Sequence, residues 1–283
     1  MLTNSFLPAA LCIILFFRHG YAAPDARPDT VDHARALAQK AAALCELGRY
    51  EEATVFQKRA LEIFEDLSST HKVDFAAAHF NLAQIYVMQG RLTAAEYHVR
   101  SARQLAEEFG TPAERGHISI LVAHIHFLAR NYARAESELR AALPHLAQLD
   151  KATALNNLAM TRATLGEFGE ARQLLDSCLV IREQAGAAGG PEHAQVLANL
   201  GLISFRQGDL SLSASLYGRA IPMFESAPRS SQAHLATALA EYGQVLRRCG
   251  RKSEAKAAER RARAILGDSL RVSAQTIDVR GFR

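Results

Sequence analysis

Apolar residues recur at helical spacing along most of the chain. From about residue 31 to residue 266, apolar side chains return every three or four positions, and no stretch sustains a two-residue alternation between turn signals. A period of 3.6 residues places side chains on one face of a helix, whereas a period of two is typical of a half-buried strand. The pattern therefore predicts an all-α fold.

A longer repeat is superimposed on this helical pattern. The segments CELGRYEEA, VMQGRLTAA, LARNYARA, TLGEFGEA, RQGDLSLS and RCGRKSEA align on a short turn. The residue at what we call the turn position is, in order, Gly48, Gly90, Arg130, Gly166, Gly208 and Gly250. The intervals are 42, 40, 36, 42 and 42 residues. Glycine suits this position because it ends a helix in the left-handed conformation, so the pattern indicates an array of helix–turn–helix units.

Three columns of small residues accompany the turns. Seven residues before the turn position stand Ala41, Ala83, Ala123, Ala159, Gly201 and Gly243. Five residues after it stand Ala53, Ala95, Ala135, Ala171, Ser213 and Ala255, and twelve after it stand Ala60, Ala102, Ala142, Cys178, Ala220 and Ala262. Antiparallel helices cross closely only where side chains are small, so we expect these columns to form the contact within each helix pair.

This pattern resembles the tetratricopeptide repeat, and its 42-residue spacing is similar to the longer repeats of kinesin light chains. The resemblance covers residues 31–266 and implies a right-handed α–α superhelical solenoid of about six repeats in one elongated domain. Three features depart from it: Arg130 at a turn position, Lys252 in place of an aromatic residue, and the 36-residue interval. We therefore expect the third repeat to pack differently and the sixth to act as a terminal cap.

The amino terminus has the pattern of an export signal. Residues 6–17 read FLPAALCIILFF, without a charge, and small residues follow at Gly20, Ala22 and Ala23. Twelve helical residues rise only ~18 Å, which is short of a membrane span. We interpret residues 1–22 as a secretory signal peptide and expect a periplasmic or secreted protein. The alternatives are an uncleaved membrane anchor and a misassigned start, because residues 1–5 carry no Lys or Arg.

Composition limits the remaining possibilities. The chain has 283 residues, 52 of them Ala, and a net charge of +4, which is too small an excess to imply nucleic acid. Three cysteines follow the predicted signal, at Cys45, Cys178 and Cys249, and we expect buried or partly buried thiols rather than disulfides. Residues 267–283 leave the repeat pattern and form a tail that is either docked or disordered.

No motif in the sequence indicates catalysis, a cofactor or a metal. The pair His124 and His126 lies two residues apart, so on a helix the two rings face different directions. No G-x-S-x-G, H-E-x-x-H or phosphate-loop motif occurs. We therefore expect no enzyme and no resident metal or cofactor.

The resemblance also implies where a ligand binds. Nine residues before the turn position is a groove-facing site in the family, and here it holds Gln39, Asn81, Leu121, Asn157, Asn199 and Glu241. In peptide-binding members an Asn at this site hydrogen-bonds the main chain of an extended peptide, because an amide offers both a donor and an acceptor. We carry this role over to Asn81, Asn157 and Asn199. The alternative is that these amides link neighbouring helices.

Further groove candidates surround these amides. They are Gln84, His124, Asn156, Phe205, Arg206, Gln244, Arg247 and Arg248. Arginine can bind a carboxylate through paired hydrogen bonds, so we predict an extended peptide of acidic character along repeats four to six. Leu121 interrupts the row of amides in the third repeat.

Residues 247–263 contain eight basic and two acidic residues. This charge suits either an anionic partner or membrane surface, or a solvated terminal helix that stops further stacking. The simpler interpretation is the solvated helix, and we expect no membrane contact beyond the signal segment. The whole sequence thus predicts a non-catalytic interaction scaffold for a protein or peptide partner. The alternative is a structural or assembly component of an envelope or secretion-related complex.

Overall fold

In a computed structural model of the chain, residues 30–227 and 231–275 are described, with side chains to residue 267. These residues form twelve α-helices and no strand. The helices are α1 (Val31–Glu46), α2 (Tyr50–Asp66), α3 (Lys72–Met88), α4 (Leu92–Phe109), α5 (Pro112–Leu128), α6 (Tyr132–Ala142), α7 (Gln148–Thr164), α8 (Phe168–Gln184), α9 (Pro191–Gln207), α10 (Leu210–Glu225), α11 (Gln232–Arg248) and α12 (Lys252–Gln275). The predicted all-α fold is confirmed.

The chain divides at residue 166 into two compact units, which we describe separately. In the first unit, the pairs α1–α2, α3–α4 and α5–α6 form helical hairpins, and each second helix also packs on the first helix of the next pair. In the second unit, α9–α10 and α11–α12 are hairpins, with α8 against α9 and α10 against α11. Each unit therefore contains consecutive helix pairs, and in addition α7 ends the first unit and α8 begins the second. The expectation of one continuous domain over residues 31–266 stays a prediction.

Every turn position adopts the left-handed conformation predicted for it. The five glycines have φ between 72° and 89°, and Arg130 has φ 61°. In the first repeat, the amide N–H of Gly48 donates to the carbonyl of Cys45, and that of Arg49 donates to the carbonyl of Leu44 at 2.8 Å. These bonds satisfy carbonyls that a helix end otherwise leaves without a donor. Arg130 makes the same turn at the cost of left-handed strain in a residue with a Cβ.

All eighteen positions of the three small columns are buried. In the fifth repeat, the Ser213 hydroxyl donates to the Gly201 carbonyl at 2.7 Å, so the first two columns touch across the hairpin. A methyl group on Gly201 would lie 2.9 Å from the Tyr217 ring, and one on Gly243 would lie 2.9 Å from Cγ of Glu259. The predicted contact between the helices of a pair is therefore confirmed, and larger residues do not fit there.

The third repeat differs from the others in its second helix. Helix α6 has 11 residues, whereas the other second helices have 16 or more, and a short 3-10 turn containing Pro144 follows it. Proline cannot donate to the preceding turn of an α-helix, so it ends α6 early. The shorter helix explains the 36-residue interval. Pro191 occupies the first position of α9, where its missing N–H is not needed.

Two features at the ends of repeats differ from expectation. Helix α12 continues to Gln275, past the predicted boundary at residue 266, so the start of the predicted tail is helical. Cys249 is exposed, and the prediction of a buried or partly buried thiol is wrong there, because this residue precedes the solvent-facing turn at Gly250. Cys45 and Cys178 are buried. Residues 276–283 and the predicted signal peptide at residues 1–22 lie outside the described residues.

Within the described ranges, no helix combines the length and the apolar character needed to cross a bilayer.

Replacing Arg130 with glycine tests the strain at the third turn. A left-handed residue with a Cβ costs about 1–2 kcal/mol, and glycine avoids this cost. Part of the resulting gain in stability is offset by the greater flexibility of glycine in the unfolded chain. We expect Arg130→Gly to raise the free energy of unfolding by up to about 1 kcal/mol, measured by urea denaturation. The control Gly90→Ala should lower it. A destabilised Arg130→Gly variant would contradict this interpretation.

Candidate functional site

The first helices of successive repeats lie closer together than the second helices. In the first unit, α1 contacts α3, α3 contacts α5 and α5 contacts α7, and in the second unit α9 contacts α11. No contact of comparable extent joins α2 to α4 or α4 to α6 in the part of the chain that the structure describes. Within each unit the first helices therefore form the tighter side, which is the side that lines the concave surface in stacked helical repeats.

The residues nine positions before the turn differ in burial and in bonding within the first unit. Asn81 is half-buried on α3, and within the described residues its side chain has no hydrogen-bond partner. Leu121, at the equivalent place on α5, is buried in the apolar cluster between α3, α4 and α5. On α7, the half-buried Asn157 accepts a long hydrogen bond of 3.5 Å from the buried Asn156. The row is thus broken at α5, as the sequence predicts.

Gln84 and His124 occupy equivalent places on neighbouring helices, six residues before their turns. Both side chains are half-buried, and Nε2 of each is shielded from solvent without a hydrogen-bond partner in the described part of the chain. Desolvation lowers the pKa of His124 from 6.5 to about 4, so its ring is neutral at physiological pH. Buried polar atoms without partners are rare in proteins because each forfeits a hydrogen bond to water.

In the second unit, the residues nine positions before the turn have hydrogen-bond partners within the fold. Asn199 on α9 is only 5% exposed, and its Oδ1 accepts from Nε2 of Gln195 at 3.4 Å. In the sixth repeat the position holds Glu241, whose carboxylate accepts from the Tyr217 hydroxyl at 2.9 Å. Burial, and then the neighbouring Glu241 carboxylate, raise the pKa of Tyr217 well above its usual value. In the second unit the column therefore has partners within the fold: Asn199 bonds within α9, and Glu241 links α11 to α10. Sequence reasoning missed both Gln195 and Tyr217.

The predicted basic residues divide into two groups. Arg248 is exposed, and its guanidinium lies over the Phe205 ring at 5.8 Å from the centroid. Arg206 and Gln244 are also exposed. Arg247 is exposed but forms an ion pair with Glu259 of α12. The structure thus brings Arg248 and Phe205 together, whereas Arg247 is already bound within the fold.

A histidine pair joins α3 to α4 that the sequence did not reveal. Nδ1 of His79 and Nδ1 of His98 are 2.9 Å apart, and the ring centroids are 5.1 Å apart. The two nitrogens therefore point almost directly at each other, which suits one shared proton rather than a metal bound by both. Burial lowers the pKa of His79 to about 4, and it lowers that of His98 as well. The nineteen-residue separation of these residues carries no recognisable pattern in sequence.

A further histidine, His117, has one acidic neighbour and no set of metal ligands around it in the described part of the chain. Nε2 of His117 on α5 lies 3.0 Å from the Asp150 carboxylate of α7. Among the residues that the structure describes, no three His, Cys, Asp or Glu side chains are grouped so that they could hold a metal ion.

Sequence comparison identifies the family. The tetratricopeptide repeat model matches residues 32–108 and 150–226, which together exceed half of the chain. The chain belongs to the tetratricopeptide repeat family. Its helix pairs are tetratricopeptide repeats of the kinesin-light-chain-like type. No curated protein sequence matches the chain.

Solved structures share this tetratricopeptide solenoid fold. The chain is similar to BtubC (BKLC) from P. vanneervenii, with 22% identity and a TM-score of 0.63, over 77% of this chain and 91% of that one. It is also similar to a Rap protein complexed with competence and sporulation factor, with 15% identity and a TM-score of 0.63, over 85% and 76%. PilW, a type IV pilus biogenesis factor, gives 18% identity and a TM-score of 0.57, over 82% and 92%. At these identities the likeness shows the fold.

Removal of the His124 imidazole tests the burial of its ring. A histidine whose pKa is near 4 in the folded chain and near 6.5 when unfolded makes the unfolded chain bind more protons between these pH values. Stability is therefore lost as the pH falls from about 6.5 to about 4. We expect His124→Gln to show a smaller loss than wild type in urea denaturation across this range. The control His145→Gln, at an exposed residue, should keep the wild-type pH dependence; an unchanged slope in His124→Gln would contradict the assignment.

Proposed function

We propose that the protein is a non-catalytic interaction scaffold that binds an extended peptide segment of a partner protein along the first helices of its repeats. Membership of the tetratricopeptide repeat family supports a protein–protein interaction scaffold. The observation that carries the finer proposal is a pair of polar atoms on neighbouring first helices, Nε2 of Gln84 and Nε2 of His124, that have no hydrogen-bond partner among the described residues. A bound main chain supplies these hydrogen bonds once the half-buried side chains turn toward it, because Nε2 of each is shielded from solvent in the free protein.

The chemistry of the first unit suits a peptide backbone. The amide of Gln84 donates through Nε2, which fits a peptide carbonyl, and Asn81 three residues earlier on the same helix face both donates and accepts. Neutral His124 offers Nε2 as a donor or as an acceptor, according to its tautomer. These groups would hydrogen-bond the main chain of a ligand rather than its side chains. Specificity must then come from the apolar and charged residues around them.

In the second unit the exposed Arg206 and Arg248 favour an acidic side chain in the ligand. Arg248 is held over Phe205, which leaves the edge of its guanidinium available for a carboxylate. Gln244, one helical turn before Arg248 on α11, is also exposed. Asn199 and Arg247 have partners within the fold, so we assign them a supporting role rather than direct ligand contact.

The proposal includes export and excludes a nucleic-acid partner. Export is supported by the uncharged apolar run at residues 6–17 and the small residues after it. The net charge of +4 over 283 residues is too small to favour nucleic acid.

A structural or assembly role is the second candidate, and one observation favours it. Val55 on α2 and Tyr97 on α4 each lie seven residues after their turn positions, and they are 66% and 63% exposed. Apolar side chains at equivalent places on neighbouring second helices offer a contact on the face opposite the proposed groove.

The double variant Asn81→Ala/Gln84→Ala tests the proposed groove. The binding segment of a partner that copurifies with the wild-type protein is made as a synthetic peptide, and its affinity is measured by calorimetry. Each lost hydrogen bond costs about 0.5–1.5 kcal/mol, so we expect the double variant to bind roughly tenfold more weakly.

The matched control is Gln104→Ala/Ser137→Ala, at exposed residues of the second helices α4 and α6, and it should bind as wild type does. Unchanged affinity in the groove variant would contradict the proposal. A stable homo-oligomer in light scattering, disrupted by Val55→Ser/Tyr97→Ser, would favour the structural role instead.

A further inference from the structure

The last helix carries a row of cations on one face. Lys252, Lys256, Arg260 and Arg263 follow one another at intervals of four, four and three residues, which keeps them on one side of α12. All four are exposed. Ala255, Ala258 and Ala262 on another face of the helix are buried in the contact of the terminal repeat. We call these four side chains the cationic row.

Three neighbouring cations are neutralised by carboxylates, whereas the cationic row is not. Arg251 pairs with Glu254, Arg247 with Glu259, and Arg261 with Glu225. Within the described side chains, none of the four members of the row has a carboxylate within 4.0 Å, and Nε of Arg263 donates instead to the main-chain carbonyl of Glu259 at 3.3 Å. Among the basic residues of 247–263, the charge without a carboxylate partner in the described side chains therefore lies on the row and on Arg248, which is held over the Phe205 ring.

The position of Glu259 explains why the row stays uncompensated. Glu259 is four residues before Arg263 and three after Lys256, so on an isolated helix it would pair with either of them. Its side chain instead lies across α11, where Gly243 leaves room for it: a Cβ on Gly243 would come 2.9 Å from Cγ of Glu259. There its carboxylate pairs with Arg247. A small residue required by helix packing thus allows the nearest acid to turn away from the row.

We propose that the cationic row is a second binding surface, separate from the first-helix groove, and that it binds an extended acidic segment of a protein, with acidic residues at alternate positions. At 1.5 Å per helical residue, the first three cations are spaced by about 6 Å. In an extended chain, alternate side chains on one face are spaced by about 6.5 Å. Carboxylates at alternate positions therefore come into register with Lys252, Lys256 and Arg260.

Other anionic partners fit the row less well. Single-stranded nucleic acid binds through aromatic side chains that stack on bases as well as through cations. Residues 252–275 include no Phe, Tyr or Trp. An interfacial membrane helix pairs a basic face with an exposed apolar face, whereas the buried face of α12 consists of Ala residues that already pack within the terminal repeat. A protein segment is thus the partner that the row fits best.

The test uses two fluorescent eight-residue peptides with the same composition. One alternates Glu and Ser, and the other has four adjacent Glu followed by four Ser. Fluorescence anisotropy with the full-length protein measures their binding at low and at physiological ionic strength. We expect the alternating peptide to bind several-fold more tightly than the block peptide, and both to weaken with added salt.

The variant Lys252→Gln/Lys256→Gln/Arg260→Gln/Arg263→Gln should bind the alternating peptide at least about tenfold more weakly. The control Lys58→Gln/Arg100→Gln/Arg134→Gln/Arg219→Gln removes the same charge from exposed positions on other helices and should lose much less. A variant with two arginines of the proposed groove replaced, Arg206→Gln/Arg248→Gln, should bind the alternating peptide as wild type does. This result would separate the cationic row from the proposed groove. Circular dichroism and thermal melting check that all variants are folded.

Three results would overturn the proposal. They are equal affinity for the two peptides, an equal loss in the row variant and its charge-matched control, and row-dependent flotation with vesicles of phosphatidylcholine and phosphatidylserine without binding of the alternating peptide. The last result would assign the row to a membrane surface.

Discussion

The whole structure depends on how closely the two helices of each repeat approach. Large side chains between antiparallel helices hold the backbones apart, whereas Ala, Gly, Ser and Cys let them meet. In this protein the contact is close enough for the Ser213 hydroxyl to reach the main-chain carbonyl of Gly201 on the paired helix. The left-handed turn fixes where the two helices of a pair cross, a few residues from the point at which the chain reverses. The small side chains and the turn therefore act together to set the distance between the two helices.

This constraint decides which surfaces remain for function. Because small residues make the contact within each pair, the large apolar residues fill the space between pairs, as Phe80, Tyr86 and Ile125 do in the cluster of α3, α4 and α5. Some polar atoms on the tighter side of the first helices have no partner within the described part of the chain. Gln84 and His124 are in this position. The absence of partners in the fold is what makes this surface a candidate for binding.

Local rules with strict geometry made the fold predictable. The turn positions and the small columns are each required by the backbone, so they can be recognised in one sequence, and Arg130 adopts the expected conformation even without glycine. The site was less predictable because its residues are not fixed by the backbone. The same column holds a half-buried Asn81, a buried Leu121 and a Glu241 bonded to Tyr217. What occupies such a position depends on the facing helix, which spacing alone does not identify.

Contacts between residues that are distant in the sequence could not be predicted from it either. The head-on pair of His79 and His98 requires two rings on different helices to meet, and Glu259 reaches Arg247 only because Gly243 is small. Each depends on the full three-dimensional packing of a repeat.

Comparing Ala135→Leu with Ala133→Leu tests the central claim most directly. Both residues lie on α6, but Ala135 is 0% exposed in a small column, whereas Ala133 is exposed two residues earlier. If close helix approach holds the repeats together, Ala135→Leu lowers the free energy of unfolding by about 1–3 kcal/mol, while Ala133→Leu changes it by less than about 0.5 kcal/mol. Equal effects of the two substitutions in urea denaturation would contradict the account.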